Sequence, residues 1–502
     1  MMLIRVSLAL GVVGTLAGCP PCGASFFGSG EVPECPAESD GSTSPPAIAE
    51  VPTRVLVGTE SFEVIGTGLA GKDAAATIAL TSGSSAQITA SVTKVNDTTV
   101  RISPQWGSVQ LGGSATIVVS TILGQSKPAG VTLVRPGFTL GASASAPTLN
   151  KPEWLFLGSL MSGMSHLFAF DSGGVLGVPY NTQNATFGTV TPLPSIMNQI
   201  MNQKLLQPAV LGSDTDTDFV AVDSASPPQT VTSCRTENGY LCASGGAYGA
   251  AWGSSNLTAL AAGLYRTGVT LVAVASASPK LFTCQVATPT YSVQTCKEAA
   301  VLSANARALW VAQFGASNAD ILVLDTAGKL QLWRSDGADV FTNQTAVLGS
   351  ALTARSLLAL ALADVDGVNG TDIVAVDAQG VAVLLNNGQG SQFTASSTSI
   401  NKMPMARALT VGDADGDGKP DIILTEAGTG TLRILLNQMN ESMPERRWLG
   451  PAPLVNASNQ PVSLGANDVA MLDGTDGSRK RRILATDVAN KKFQVWQNSF
   501  TP

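Results

Sequence analysis

Residues 411–425 read Val-Gly-Asp-Ala-Asp-Gly-Asp-Gly-Lys-Pro-Asp-Ile-Ile-Leu-Thr. The first half places Asp413, Asp415 and Asp417 at alternate positions, with Asp421 four residues further on. Carboxylates this close repel one another, and a hard cation bound through oxygen atoms removes that repulsion. The glycines between them allow the sharp turns that let the side chains converge. The stretch therefore predicts a Ca²⁺-binding loop in preference to a solvated acidic turn.

The second half of the stretch, residues 422–425, is an apolar run bounded by turn residues, which is typical of a buried strand. An EF-hand needs a bidentate glutamate at position 12 and a helix on each side of its loop. Position 12 counted from Asp413 is Leu424, inside the strand-like run. The spacing excludes an EF-hand.

The apolar half recurs along the chain. Similar apolar runs occur at Leu167–Asp171, Phe219–Asp223, Leu271–Ala275, Ile321–Asp325, Ile373–Asp377, Ile422–Glu426 and Ile483–Asp487. Their last positions are separated by 52, 52, 50, 52, 49 and 61 residues. A period near 50 with several short strands in each unit indicates blades around an axis. The expected fold is all-β, with a seven-bladed β-propeller.

The order Asp-x-Asp-x-Asp-Gly-x-x-Asp, an apolar strand and then Val-Leu-Leu-Asn-Asn-Gly resembles the FG-GAP or VCBS repeat of integrin-α-type propellers. The match is best at residues 363–393 and 411–437, and the resemblance extends over roughly residues 152–502. It implies Ca²⁺ held by the side chains at loop positions 1, 3, 5 and 9 and by the main-chain carbonyl at position 7. In this chain the implied ligands are Asp413, Asp415, Asp417, Asp421 and the carbonyl of Lys419.

Three other units depart from this ligand pattern. The preceding unit offers Asp364, Asp366 and Asp372, but position 5 is Val368, so the resemblance implies a weaker site there. The unit before that has Ala312 and Phe314 at positions 1 and 3 and keeps only Asp320, so we expect no metal. The last unit retains a partial trace in Asp473 and Asp476, with altered spacing.

The amino terminus resembles the signal of a bacterial lipoprotein. Residues 1–18 contain one early cation, Arg5, and then an apolar run that is too short to span a bilayer but fits a secretory signal. The run ends Leu16-Ala-Gly-Cys19, which resembles a lipobox and implies cleavage before Cys19 and acylation of that cysteine. Acyl chains would anchor the protein firmly. The alternative is an ordinary signal peptide with an incidental cysteine.

Seven cysteines are present. If Cys19 carries lipid, six remain, and they fall into the local pairs Cys22 with Cys35, Cys234 with Cys242, and Cys284 with Cys296. Six cysteines allow fifteen connectivities, of which nearest-neighbour pairing is our expectation. Disulfides are consistent with an oxidising envelope compartment. The single histidine argues against zinc.

The composition divides the chain into segments. Residues 19–45 are rich in Pro, Gly, Ser and acidic residues and are expected to form a flexible tether. Residues 46–136 contain short alternating runs, which predict a small β-sandwich; their opening resembles an IPT/TIG immunoglobulin-like domain. Residues 137–151, with an Ala-Ser-Ala-Ser-Ala-Pro run, are expected to be a linker into the propeller, residues 152–502.

Charge and motif content limit the function. The net charge of −7 argues against nucleic acid or anionic lipid as a partner, and the basic run at residues 479–482 is interpreted as a solvated loop.

Any Ser-His-Asp triad would have to use His166, the only histidine, and there is no Gly-x-Ser-x-Gly elbow or phosphate-binding glycine loop. The acidic pairs belong to the metal loops, so no enzyme is expected.

These observations predict an envelope-anchored lipoprotein, expected at the outer membrane on either face, whose calcium-stabilised propeller binds a protein or glycan without catalysis. Two alternatives remain. One is a carbohydrate-active, lyase-like enzyme built on a propeller; the other is a structural or assembly lipoprotein without a ligand. Fold alone does not choose among them.

Overall fold

The computed structural model describes residues 44–500, with gaps at 72, 82–86, 107–111, 146–153, 161–163, 172–173, 182–185, 189–202, 210–217, 224–228, 236–240, 243–250, 267–268, 288–291, 294–295, 316–317, 338–339, 369, 396–399, 402–405, 439–447, 459, 465–468, 473–481 and 488–489. The predicted signal peptide and nearly all of the tether, with Cys19, Cys22 and Cys35, lie outside the described residues. So do Asp473, Asp476 and most of the basic run.

The described chain is nearly all β. Its helical parts are one 3-10 turn, Thr345–Leu348, and the four-residue α1, Ser350–Thr353. The first nine strands are β1 (Ala47–Glu50), β2 (Arg54–Leu56), β3 (Phe62–Thr67), β4 (Ala75–Leu80), β5 (Gln87–Lys94), β6 (Thr99–Pro104), β7 (Gly113–Thr121), β8 (Gly124–Gln125) and β9 (Ala129–Val134). We call their sheet the N-terminal sheet.

The N-terminal sheet curls back on itself. Its strand order is β1-β3-β6-β5-β4-β7-β9-β2, with β8 paired to β7. Strands β1 and β2 follow each other in the chain yet lie at opposite ends of this order. The alternating pattern of β4 places Ile78 inside, where it packs with Ile88, Ile102 and Ile117, all at most 1% exposed. One face of the curl is therefore a core and the other faces solvent.

The remaining strands form seven sheets of four or five antiparallel strands within the described residues. Sheets 1 to 3 comprise β11 (Trp154–Leu160), β12 (Met164–Asp171), β13 (Gly174–Asn181) and β14 (Thr186–Phe187); β15 (Gln203–Ala209), β16 (Asp218–Asp223), β17 (Val231–Arg235) and β18 (Leu241–Cys242); and β19 (Leu257–Arg266), β20 (Val269–Ser276), β21 (Lys280–Ala287), β22 (Ser292–Val293) and β23 (Lys297–Val301).

Sheets 4 to 7 follow in chain order. They comprise β24 (Ala306–Ala312), β25 (Asp320–Asp325), β26 (Leu330–Ser335) and β27 (Phe341–Asn343); β28 (Leu357–Ala363), β29 (Asp372–Asp377), β30 (Gly380–Asn386), β31 (Phe393–Ala395) and β32 (Ile400–Asn401); β33 (Ala406–Gly412), β34 (Asp421–Glu426), β35 (Leu432–Asn437) and β36 (Trp448–Pro453); and β37 (Val469–Leu472), β38 (Arg482–Asp487) and β39 (Lys492–Asn498), completed by β10 (Phe138–Ser145).

Each of the seven apolar runs lies in the second strand of a different sheet. These strands lack polar alternation because both of their faces are covered. In β29, Ile373 and Ala375 pack towards sheet 4, whereas Val374 and Val376 pack towards sheet 6. A strand buried on both sides is a continuous hydrophobic run. Successive sheets are therefore stacked face to face, and β37 of sheet 7 lies against β11 of sheet 1.

The segment predicted to be a linker, residues 137–151, instead contains strand β10. It pairs with β39, from Phe138 opposite Asn498 to Ser145 opposite Lys492. The small residues of this segment are typical of a linker in isolation, but pairing with β39 satisfies their backbone groups and completes sheet 7. A strand that precedes sheet 1 in the chain thus closes the last sheet.

The N-terminal sheet packs on sheets 6 and 7. Leu56 and Val134 share one buried apolar cluster with Ile434 and Leu454. A side-chain bond continues the contact, because Arg135, directly after β9, donates to the Asn456 carbonyl oxygen at 2.8 Å. The contact brings β2 beside the loops of sheet 6.

We expect Phe138→Ala to lower the free energy of unfolding by about 3–5 kcal/mol, since its ring is fully buried and lies edge-on to Phe500 at 5.5 Å. Chemical denaturation of the full chain measures the loss. Leu140→Ala in the same strand is the control, because Leu140 is 45% exposed and should cost less than about 1 kcal/mol. Equal, small losses in both variants would contradict the closing role of β10.

Candidate metal centre

Two acidic loops connect the first and second strands of neighbouring sheets. Loop 6 comprises residues 413–420 between β33 and β34, and loop 5 comprises residues 364–371 between β28 and β29. Each second strand begins with a fully buried aspartate, Asp421 after loop 6 and Asp372 after loop 5. The two loops therefore present the same construction twice.

The buried aspartate ties its loop to the third strand. One oxygen of Asp421 accepts the Asn437 N–H at 2.8 Å, and the other accepts the Ala414 N–H at 2.7 Å. Asp372 accepts the Asn386 N–H at 2.7 Å and the Val365 N–H at 2.8 Å in the same way. A carboxylate that accepts backbone N–H groups holds the loop entrance in place.

Asp413 organises the middle of loop 6. Its two carboxylate oxygens accept the N–H groups of Gly416 at 2.6 Å and Gly418 at 2.9 Å. Both glycines have positive φ, +85° and +88°, a conformation that a side chain disfavours. The glycines between the acidic residues thus wrap the backbone around the first carboxylate.

Three carboxylates converge in each loop. Oxygen atoms of Asp413, Asp415 and Asp421 lie within 4.8 Å of one another, and so do those of Asp364, Asp366 and Asp372. Oxygen ligands of Ca²⁺ lie about 2.3–2.6 Å from the ion. Two ligands on opposite sides of the ion are therefore separated by about twice that distance, which matches the 4.8 Å within which these oxygens converge. The donor set, all carboxylate oxygen, fits a hard divalent cation.

Asp417, the predicted position 5 ligand, is not part of the converging group. Its Oδ1 accepts the Lys419 N–H at 2.9 Å, and its Oδ2 lies 3.7 Å from Arg54 and 3.8 Å from the Lys419 ammonium. The structure therefore gathers three of the four predicted side chains of loop 6 and all three of loop 5.

Burial and like charge raise the pKa values of these carboxyl groups. Burial raises the pKa of Asp421 well above its usual value, and the charge of Asp415 adds to the effect. Burial likewise raises the pKa of Asp372 to about 6. Burial, followed by the charge of Asp415, raises the pKa of Asp417. Burial and like charge therefore disfavour the ionised forms of these groups. A bound divalent cation would favour the ionised forms, because its positive charge lies next to them.

In sheet 4 an arginine side chain neutralises the buried aspartate, whereas the loops of sheets 5 and 6 contain further carboxylates. Asp320, the buried first residue of β25, lies 3.4 Å from the Arg334 guanidinium. Burial raises the pKa of Asp320, and the charge of Arg334 opposes that rise. Arg334 also donates to the Gly390 carbonyl oxygen in sheet 5 at 2.6 Å. This unit has its own internal cation.

Counting back from Asp320 as loop position 9 predicted that Ala312 and Phe314 occupy positions 1 and 3. The structure places them one position earlier in the loop. Ala312 is the last residue of β24, as Ala363 and Gly412 end β28 and β33. The connection in sheet 4 is one residue shorter, so Phe314 is the counterpart of position 2. The absence of carboxylates at positions 1 and 3 is unchanged.

An asparagine at the end of the third strand, which the sequence reasoning missed, joins each loop to the next sheet. Asn386 donates to the Phe314 carbonyl oxygen at 2.8 Å, Asn437 to that of Val365 at 2.7 Å and Asn498 to that of Ala414 at 2.6 Å. The acceptor is always position 2 of the preceding loop. The repeated asparagine after an apolar strand was the available signal.

The four described cysteines lie in sheets 2 and 3, three of them in strands and Cys296 immediately before β23. Cys284 and Cys296 form a disulfide, with a Cα–Cα distance of 4.2 Å. Cys234 and Cys242 are opposite each other in the register of β17 and β18. Both predicted pairs thus involve neighbouring backbone positions within one sheet.

The family comparison concerns one of these loops directly. Residues 369–424 match the FG-GAP-like repeat. That repeat spans the second strand of sheet 5 and ends in the second strand of sheet 6, with loop 6 inside it. The match supports an FG-GAP-type β-propeller, and the stacked sheets agree with it. FG-GAP repeats often bind calcium, and the acidic clusters could hold a metal.

Comparison with whole proteins adds little. No curated protein matches the chain. Among solved structures, BBS1N in complex with ARL6DN, soaked with lead, is 11% identical, with a TM-score of 0.40, and the match covers 73% of this chain and 95% of that one. A mutant of AofleA from Arthrobotrys oligospora is 14% identical, with a TM-score of 0.38, and the match covers 59% and 85%. Likenesses this weak support no conclusion on function.

No helix within the described ranges is long and apolar enough to cross a membrane.

We expect a pH dependence from Asp372 in EDTA. Its folded-state pKa of about 6 lies above the ordinary aspartate pKa of 3.8, so its stabilising contribution is complete below pH 3.8 and is lost as pH rises through 6. The stability advantage of the wild-type chain over Asp372→Asn should therefore shrink between these values. Denaturation at a series of pH values measures it. Asp364→Asn, at the exposed end of the loop, should keep most of the dependence, and a flat difference would contradict the assignment.

Proposed function

We propose that this chain is an envelope-anchored bacterial lipoprotein whose calcium-stabilised propeller binds a protein or glycan ligand without catalysis. The observation that carries the proposal is the pair of equivalent loops in which three carboxylates converge between blade strands. Such a loop stabilises a scaffold, and the surfaces around it remain available for a ligand. The absence of a catalytic motif in the sequence supports a binding role.

The proposed architecture is a seven-bladed propeller preceded by an Ig-like sandwich. Seven stacked sheets, each with one apolar second strand, support the blade number. Closure by β10 supports a ring, because it joins the start of the repeat region to its end. For the N-terminal sheet, the alternating strands and the separation of β1 from β2 support an Ig-like domain of the IPT/TIG type.

Asp413, Asp415 and Asp421 would hold Ca²⁺ in loop 6, with Asp417 and the Lys419 carbonyl completing the shell, and Asp364, Asp366 and Asp372 would hold a second ion in loop 5. The ion would neutralise carboxylates that burial otherwise penalises. Asp421 and Asp372 keep their loops in register with the third strand through their bonds to Asn437 and Asn386. The chain's own contribution is to pre-position the ligands at low conformational cost.

Anchoring would place the propeller at the cell envelope. The lipobox-like Leu16-Ala-Gly-Cys19 supports acylation of Cys19, and residues 19–45 would separate the folded part from the membrane. A disulfide between Cys284 and Cys296 suits an oxidising compartment. The outer membrane is the proposed site, on either of its faces.

Calcium should stabilise the full-length chain. Native-state binding raises the free energy of unfolding by about 2.7 kcal/mol at a hundredfold excess over Kd, and extracellular modules bind at about 10⁻⁴–10⁻³ M. The melting temperature should rise over that range for the wild type and much less for Asp415→Asn. Asp97→Asn, an equal charge change at a 95% exposed side chain, should behave as wild type. Equal rises in all three proteins would contradict the loop 6 site.

The binding function is tested on immobilised cell-surface glycans and purified outer-membrane proteins. We expect saturable, calcium-dependent binding by the wild-type chain, reduced in Asp415→Asn, with no change in the length of the bound glycan. Shortened glycan chains would instead favour the lyase-like enzyme. Failure to bind either class would contradict the proposal and favour a structural or assembly role.

A further inference from the structure

The N-terminal sheet places a cation against the candidate metal loop. Arg54, the first residue of β2, extends its guanidinium to loop 6, where Nη2 donates to Asp415 Oδ2 at 2.7 Å and Nη1 lies 3.7 Å from Asp417 Oδ2. The Asp415 side chain is only 4% exposed and that of Arg54 is 29% exposed. A single residue of one domain thus reaches two predicted ligands in the other.

The packing around Arg54 holds it there. Strand β2 pairs in parallel with β9, with Arg54 opposite Thr132. Leu56, two residues on, is fully buried in the cluster shared with sheets 6 and 7. On the preceding side, the Thr53 hydroxyl donates to the Gln438 side chain at 3.2 Å. The position of the guanidinium is therefore a property of the interface between the domains.

Arg54 and a metal ion require the same carboxylate. Asp415 Oδ1 accepts the Asp417 N–H at 3.1 Å and Oδ2 accepts Arg54 at 2.7 Å, so the guanidinium lies against the carboxylate that the ion would use. A divalent ion bound among Asp413, Asp415 and Asp421 would be repelled by this neighbouring positive charge. The arginine also offsets part of the repulsion among the carboxylates, which reduces the gain from binding a cation.

Loop 5 provides an internal comparison. Asp366, its counterpart of Asp415, accepts the Val368 N–H at 2.8 Å, but within the described part of the chain no arginine or lysine forms an ion pair with Asp366. Loop 6 has the fuller set of ligands and is the one with the opposing cation.

We infer that Arg54 is an internal counter-cation of loop 6 that lowers its calcium affinity and links calcium binding to the docking of the N-terminal sheet. This inference rests on the proposed calcium site. Because coupling between two sites is reciprocal, calcium that weakens the Arg54–Asp415 pair also loosens docking, and docking weakens calcium binding by the same factor. Arg54 is a positioning residue and not a metal ligand.

Isothermal titration of calcium into the full-length chain tests the inference. Every protein carries Asp366→Asn, so that loop 6 dominates the signal. Arg54→Gln should bind calcium about tenfold more tightly than this parent, in the range typical of allosteric coupling, whereas Arg54→Lys, which keeps the charge, should remain within about twofold. Arg135→Gln is the matched control, because Arg135 joins the same domains by donating to the neutral Asn456 carbonyl oxygen at 2.8 Å; it should leave the affinity unchanged.

Hydrogen exchange gives a second measurement that needs no arginine variant. Calcium should increase amide exchange across residues 54–57 in the parent and leave it unchanged when Asp415→Asn is added. An Arg54→Gln affinity equal to or below that of the parent, or no change in exchange on calcium binding, would overturn the role of Arg54. If the parent itself binds no calcium, the proposed site fails and the inference with it; if the parent binds and Asp415→Asn does not, the site stands and only the arginine measurements decide.

Discussion

A buried carboxylate at the start of a second strand is the constraint on which the loops of this protein depend. In sheets 5 and 6 it accepts backbone N–H groups from both the loop and the third strand, so the first three strands are fixed by one side chain. An ionised group in such a place must be compensated. The chain supplies an arginine in sheet 4 and clusters further acidic residues in sheets 5 and 6, where an external cation is the natural complement.

Hydrogen bonds also connect each of sheets 5, 6 and 7 to the sheet before it. Each third-strand asparagine binds position 2 of the loop in the sheet before it, so the geometry of loop 6 is set from both sides: by Asn437 within its own sheet and by Asn498 from sheet 7. The apolar second strands add packing on both faces. Loop 6 is consequently a point where sheets 6 and 7 and, through Arg54, the N-terminal sheet meet.

Local patterns in the sequence predicted the parts of the fold that depend on local chemistry. The apolar runs identified all seven second strands, because burial on both faces leaves a continuous hydrophobic signature. The spacing of Asp413, Asp415 and Asp421 predicted their convergence. Strand β10 was missed because its small residues carry no signature and its partner lies at the other end of the chain. Arg54 could not be found for the same reason, and one deleted residue before Asp320 misplaced the loop of sheet 4.

Closure by β10 also orders the events of folding. Ser145 pairs with Lys492, so β10, the first strand of this sheet to be synthesised, remains an unpaired edge until β39 has been synthesised. Contacts between residues so distant in sequence form slowly and leave unpaired strands exposed in the meantime. A chain truncated before β39 would lose the partner of β10 and of β38 together. Completion of sheet 7 therefore depends on β39, the last strand to be synthesised among those that the structure describes.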